Sequence, residues 1–149
     1  MCRTTRSWAR STSSVVRGLM IVVDASCAVD VLLGTARSER VRSAMVDHGD
    51  LVAPHLLDVE VTSVIRQHLR AGRIDETAAA QAIEELAVLP LQRFGHSPLL
   101  GRVWQLRDNL RTWDALYVAL AEVLDASLLT ADARLANASG PRCSFLVIS

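Results

Sequence analysis

The sequence predicts an α/β protein with three α/β/α layers built on a central, mostly parallel sheet of about five strands. Three observations lead to this reading. The chain has 149 residues, half of them apolar, enough for one domain to bury a normal core without disulfides. From Met20 onward, strand-length apolar runs alternate with amphipathic stretches; strands that alternate with helices pair in parallel, with helices on both sheet faces. After residue 20 there are no internal repeats and no linkers.

Each element follows from its own stretch. MIVVD, residues 20–24, reads as a strand that runs straight into an acid. Residues 25–33 read as a short helix stopped by Gly34, and 37–48 as a second helix. LVAP at 51–54 is a short strand ended by Pro54, and 55–70 is a long amphipathic helix closed by Gly72. Residues 75–89, DETAAAQAIEELAVL, form an Ala-rich helix with acids in its first turn and Pro90 beyond its end. LQRF at 91–94 is a candidate strand, 97–107 a helix, and 112–124 another helix with Thr112 expected as its N-cap. SLLT at 127–130 and SFLVIS at 144–149 are the last strands, with a short helix at 132–137 between them.

Composition excludes several classes. Cys2, Cys27 and Cys143 are odd in number and form no CxxC pair, which argues against a thiolate metal site or disulfide framework and for a reducing cytoplasm. No apolar run approaches the roughly 18 to 20 residues of a membrane span. All sixteen basic residues are arginine. Four of them, Arg3, Arg6, Arg10 and Arg17, lie in residues 1–19, which hold no acid; 20–149 therefore carry 12 basic and 16 acidic residues, a net of −4. The first nineteen residues form a basic, Ser/Thr-rich extension, expected to be poorly ordered. It reads as a transit-like leader, a nucleic-acid arm, or a segment upstream of a natural start at Met20.

The informative acids sit where such sheets bind ligands, outside the carboxyl ends of the strands. Asp24 ends the first strand, Asp132 follows SLLT, Asp114 stands in the first turn of the 112–124 helix, and Glu60 lies early in the 55–70 helix. Each has a plain alternative. Asp24 and Asp132 could cap helices, Asp114 could complement a helix dipole, and Glu60 could be solvated. Together they are harder to dismiss, because Glu60 is set among apolar residues and Asp114 is followed by ALYVALAEVL. Clustered carboxylates repel and raise one another's pKa, so four on one crevice would want a cation. An oxygen-only donor set favours Mg²⁺ or Mn²⁺ over zinc.

The blocks MIVVDASCAVDVLL, LVAPHLLDVEVTSVIRQHLRAGRI and LRDNLRTWDALYVALAEVLDASLLTADARLA resemble the successive motifs of the PIN domain. They are most similar to the VapC toxins of bacterial type II toxin–antitoxin systems. The resemblance runs from Met20 to the C-terminus, so residues 20–149 would be a PIN domain of PIN-like fold. It implies an endoribonuclease that uses one or two Mg²⁺ or Mn²⁺ ions, with Asp24, Glu60, Asp114 and Asp132 as catalytic and metal-holding acids. It also implies supporting roles for Ser26, Asn109 and Thr130. Asp58 is the rival to Glu60, and the family pattern favours Glu60. A VapB-type antitoxin, a second copy of the chain and an RNA substrate are the implied partners; the apolar helices between 36 and 90 are natural surfaces for the two proteins.

Around that site, Arg66, Arg70 and Arg73 fall near one helix face, and Arg102, Arg107 and Arg111 lead up to Asp114. Both groups could meet phosphates, or could simply be solvated. Trp104 and Trp113 are expected to pack in the core rather than stack on bases. Cys27 reads as a small buried residue, and the four histidines receive no role. Two other functions compete with a toxin ribonuclease. A phosphotransferase or dehalogenase using Asp24 as nucleophile would want a second Asp at position 26, where Ser26 stands. A non-catalytic binding module with a vestigial metal site is the other.

Overall fold

The computed structural model describes residues 20–149, and the expectations for residues 1–19 lie outside that span. Five strands form one sheet in the order β3-β2-β1-β4-β5. They are β1 (Ile21–Val23), β2 (Leu51–Pro54), β3 (Leu91–Phe94), β4 (Ser127–Thr130) and β5 (Phe145–Val147). All four pairings are parallel, with Val22 opposite Val52 on one side and Leu128 on the other. The expected parallel sheet of about five strands is therefore present.

Helices α1 (Ala25–Leu33), α2 (Ser38–His48), α3 (Leu56–Arg70) and α4 (Glu76–Ala87) pack on one another, with α1 against α2, α3 and α4. Helix α6 (Thr112–Val123) lies across β1, β2 and β4 and carries α5 (Leu100–Gln105) on it; α7 (Ala133–Ala136) packs on β5. Right-handed crossovers explain the division. The chain steps from β1 outward to β3 on one side, then returns to β4 on the other, so the later helices cover the opposite face. A strand covered on both faces must be apolar throughout, and Ile21, Val22 and Val23 are fully buried. Residues 115–121 of α6 are buried as well, which accounts for the near-continuous apolar run there.

Three expectations needed correction. Thr112 is the first residue of α6, and its N-cap is Arg111, held in an extended conformation with no side-chain cap bond. The helix expected over 97–107 is a 3-10 turn at Ser97–Leu99 followed by only six residues of α5, with Pro98 in the turn. Trp104 and Trp113 are 68% and 49% exposed rather than part of the core. An α5 this short, lying on α6, buries Val103 and Leu106 and leaves Trp104 outside.

Candidate active site

The two central strands, β1 and β4, meet where the sheet order reverses, the usual place for a ligand crevice in an open parallel sheet. Asp24 follows β1 directly, and its N–H donates to Leu129 O of β4 at 2.9 Å. It stands at the N-cap of α1, yet its side chain makes no cap bond. Instead its Oδ2 accepts from Thr130 Oγ1 at 2.7 Å and from Ser26 Oγ at 3.0 Å. Both hydroxyls continue the network: Ser26 Oγ accepts from Ala131 N at 3.2 Å, and Thr130 Oγ1 from Asp132 N at 3.0 Å. The carboxylate is therefore tied across the β1–β4 junction, and the capping explanation for Asp24 does not hold. At 8% exposure, burial pushes its pKa up, the two hydroxyls oppose that, and nearby Asp114 pushes it further up.

Glu60, in the second turn of α3, accepts from Tyr117 Oη at 2.8 Å. Burial raises its pKa, the tyrosine opposes that, and Asp24 and Asp114 both add to the rise while Arg111 offsets part of it. Asp24, Glu60 and Asp114 therefore feel one another's charge. The local framework explains how α3 is placed. Its first N–H, on Leu56, donates to His96 Nε2 at 3.0 Å, because His55 at the N-cap offers no side-chain bond. Asp58, the rival acid, is held by Arg93 through two bonds of 2.7 and 2.9 Å; Glu60 instead meets the buried Tyr117 of α6.

The other two acids each have a guanidinium. Asp114 Oδ2 accepts from Arg111 Nε at 2.9 Å. Asp132 caps α7, accepting from Arg134 N at 2.9 Å and from Arg134 Nε at 3.4 Å. Burial favours its neutral form, but the Arg134 backbone bond, then its guanidinium, outweigh that and lower the pKa. Asn109, Leu110, Arg111, Asp114, Asp132 and Arg134 line a crevice of about 250 Å³. Asn109 also lies beside Gly140, where an added Cβ would come within 2.9 Å of Asn109 Nδ2; with φ +106 as well, glycine is required there.

The site residues read from sequence fall into two groups. Asp24, Ser26 and Thr130 share one hydrogen-bond network that reaches the Asp132 backbone, and Glu60 and Asp114 lie within electrostatic reach of Asp24. Among the described residues, no group of three or more His, Cys, Asp or Glu side chains is arranged to hold a metal ion as it stands. The donor set nonetheless suits a hard divalent cation, since it is all oxygen and its two inner acids are disfavoured as bare anions. Arg66, Arg70 and Arg73 are exposed on and after α3. Arg102 is not available to phosphate: it holds Glu122 by two bonds and reaches Gly140 O. Arg107 lies over the exposed Trp104 ring, 4.7 Å from its centroid. Cys27 is buried, its thiol pushed up to about 12 by burial and by Asp24, as befits an apolar filler.

Sequence reasoning missed Tyr117, Arg134 and His96. Tyr117 had a signal, being the chain's only tyrosine, three residues past Asp114 and so on the same helix face.

A model of the PIN domain matches residues 21–141. Ribonuclease VapC1 of Mycobacterium tuberculosis is 43% identical over 128 residues, covering 85% of this chain and 96% of that protein. VapC ribonuclease Mb0985 of Mycobacterium bovis is 36% identical over 129 residues, covering 87% of this chain and 98% of that protein. Among solved structures, VapBC2 from Rickettsia felis bound to a DNA fragment from their promoter matches with a TM-score of 0.65 at 9% identity. That match covers 88% of this chain and 100% of the solved one, a likeness of fold alone.

Proposed function

The chain belongs to the PIN domain family, and from that premise we propose that it is a divalent-metal-dependent endoribonuclease, the toxin of a toxin–antitoxin pair. The observation that carries this reading is the inner acid cluster. Burial raises the pKa of both Asp24 and Glu60, Asp114 adds to both and Asp24 adds to Glu60, so the crevice gains by accepting a cation. Relatives that span nearly their whole length with this chain are named ribonucleases.

Asp24, Asp114, Asp132 and Glu60 would hold one or two Mg²⁺ or Mn²⁺ ions. When bound, such an ion supplies the charge that activates a water and stabilises the departing oxygen of a phosphodiester. The protein's own part is orientation. Thr130 and Ser26 fix the Asp24 carboxylate, Tyr117 fixes Glu60, and both sets limit how far the acids can swing. Asn109 lines the crevice mouth, and the exposed Arg66, Arg70 and Arg111 offer phosphate contacts along the RNA. Exposed Trp104 and Trp113 bracket the segment 109–111 and provide faces for a base to stack on.

A VapB-type antitoxin and a second copy of the chain are the protein partners in this reading. Exposed Val46, Val59, Ile83 and Val88 on and after α2, α3 and α4 supply apolar surface for them. No helix of the described residues is long and apolar enough to cross a membrane, and in this reading the chain works on RNA in the cytoplasm. The test is cleavage of RNA in Mg²⁺ or Mn²⁺, its arrest by EDTA, and mapping of the cut ends. Cleavage by wild type with none by Asp24→Asn is the expected result; equal cleavage by both overturns the reading.

A further inference from the structure

Resting on the reading of this crevice as a cation-binding ribonuclease site, we propose that Arg111 and the divalent cation are alternative partners of Asp114. Arg111 displaced by the ion then takes a phosphate of the RNA. Arg111 is thus both a placeholder in the metal-free chain and a positioning residue for substrate in the loaded one.

The geometry separates this arginine from the clamped ones, and from Arg134, which meets the other crevice acid through Nε at only 3.4 Å while Asp132 is already capping α7. Arg37 holds Asp30, Arg93 holds Asp58, and Arg102 holds Glu122, each through Nε and a terminal nitrogen together. Those are two-point clamps, the strong form of the guanidinium–carboxylate pair. Arg111 holds Asp114 through Nε alone, at 2.9 Å, with 64% of its side chain exposed. Its terminal nitrogens bond no other described residue. A single-point, solvent-facing bridge is worth little and is easily replaced.

The position is equally particular. Arg111 is the N-cap of α6 by its backbone alone, in an extended conformation, so its side chain has no capping duty to abandon. Its charge is felt at Asp132 and Glu60 as well as at Asp114. Two guanidinium groups therefore stand on a crevice lined with acids, Arg111 on Asp114 and Arg134 on Asp132, and Arg111 is the one whose charge also reaches Glu60, in the place a cation would take. An ion bound there would compete for Asp114 and repel the guanidinium. Freed, the planar fork matches a phosphate, which a carboxylate-bound Nε cannot address. One residue thus opposes the metal when RNA is absent and supports RNA when the metal is present.

That sign reversal is the test, on the full chain. Mn²⁺ binding without RNA is measured by titration calorimetry for wild type, Arg111→Gln and Arg111→Lys. Arg111→Gln should bind Mn²⁺ about fivefold more tightly or better, with Arg111→Lys between it and wild type. With a mixed-sequence single-stranded RNA at saturating Mn²⁺, Arg111→Gln should raise KM more than it lowers kcat. The slope of log KM against log salt should fall by about one. Equal or weaker Mn²⁺ binding by Arg111→Gln overturns the placeholder, and an unchanged KM and salt slope overturn the phosphate contact. A wild type that binds no Mn²⁺ at millimolar concentration overturns the metal reading itself, and this inference with it.

Discussion

The β1–α1 and β4–α7 junctions are built alike, and the chain uses them in opposite ways. In each, a buried parallel strand delivers an aspartate to the N-cap of the next helix, with extended backbone at Asp24 and at Asp132. Asp132 does what its position suggests: it caps α7 and pairs with Arg134, and its pKa falls. Asp24 leaves its helix uncapped, turns to Thr130 and Ser26, and is held high by burial. The difference comes from two hydroxyls and from depth. Thr130 Oγ1 donates to Asp24 while accepting from Asp132 N, so one threonine serves both junctions. A strand-end aspartate therefore declares its role through what its oxygens accept, not through where it stands in the sequence.

The buried aspartate carries the greater consequence. Asp24→Asn should cost RNA cleavage at least about 10³-fold, comparable to removing a group aimed at developing charge. The same change should raise the melting temperature of the metal-free chain by a few degrees at pH 7.5, since it removes a buried charge. Thr130→Val comes next. It takes one of Asp24's two hydroxyls and strands the Asp132 N–H, so it should cost about 1 to 3 kcal/mol in chemical unfolding. Cleavage should fall by roughly 10- to 100-fold, the usual scale for a residue that orients a ligand.

Tyr117→Phe should act on the profile more than on the rate. The tyrosine bond favours ionised Glu60, so its loss moves the acidic limb of the pH–activity curve upward; an unmoved limb contradicts the assignment. Arg134→Ala is the smallest. Its side chain is 91% exposed, and an exposed ion pair contributes little. Asp132's lowered pKa gives stability present above the ordinary carboxylate range and lost as pH falls. The variant should therefore lose a trace of stability at neutral pH and change activity by less than about twofold.

Much of this was legible in the sequence because it rests on local periodicity. The strand–helix alternation placed all five strands within a residue or two, and the apolar run 115–121 is the buried face of α6. The acids were legible as positions but not as partners. Nothing local says that Arg102 clamps Glu122 twenty residues on, or that Asp58 belongs to Arg93 in β3. A guanidinium sits at the end of a long, flexible side chain and its partner is chosen by tertiary packing, so a stripe of arginines cannot be sorted in advance. The tryptophans failed for a related reason. Their size favours burial, but the short α5 buries Val103 and leaves Trp104 outside, and Trp113 stands in the first turn of α6, ahead of its buried run 115–121.

In the proposed reading, Asp24 sits in a site that is unfavourable without a cation and favourable with one. For a carboxyl with a raised folded pKa, the added stability is fully present below the ordinary value of about 4 and is lost as pH rises through the raised value. The direct measurement is thermal unfolding of wild type and Asp24→Asn from pH 4 to 8, with and without Mn²⁺. Metal-free Asp24→Asn should melt above wild type at pH 7.5, with the gap closing toward pH 4. Mn²⁺ should raise wild type, more so as pH rises, and leave Asp24→Asn where it was. A metal-free Asp24→Asn that melts below wild type at pH 7.5, or an equal rise with Mn²⁺ in both chains, would contradict it.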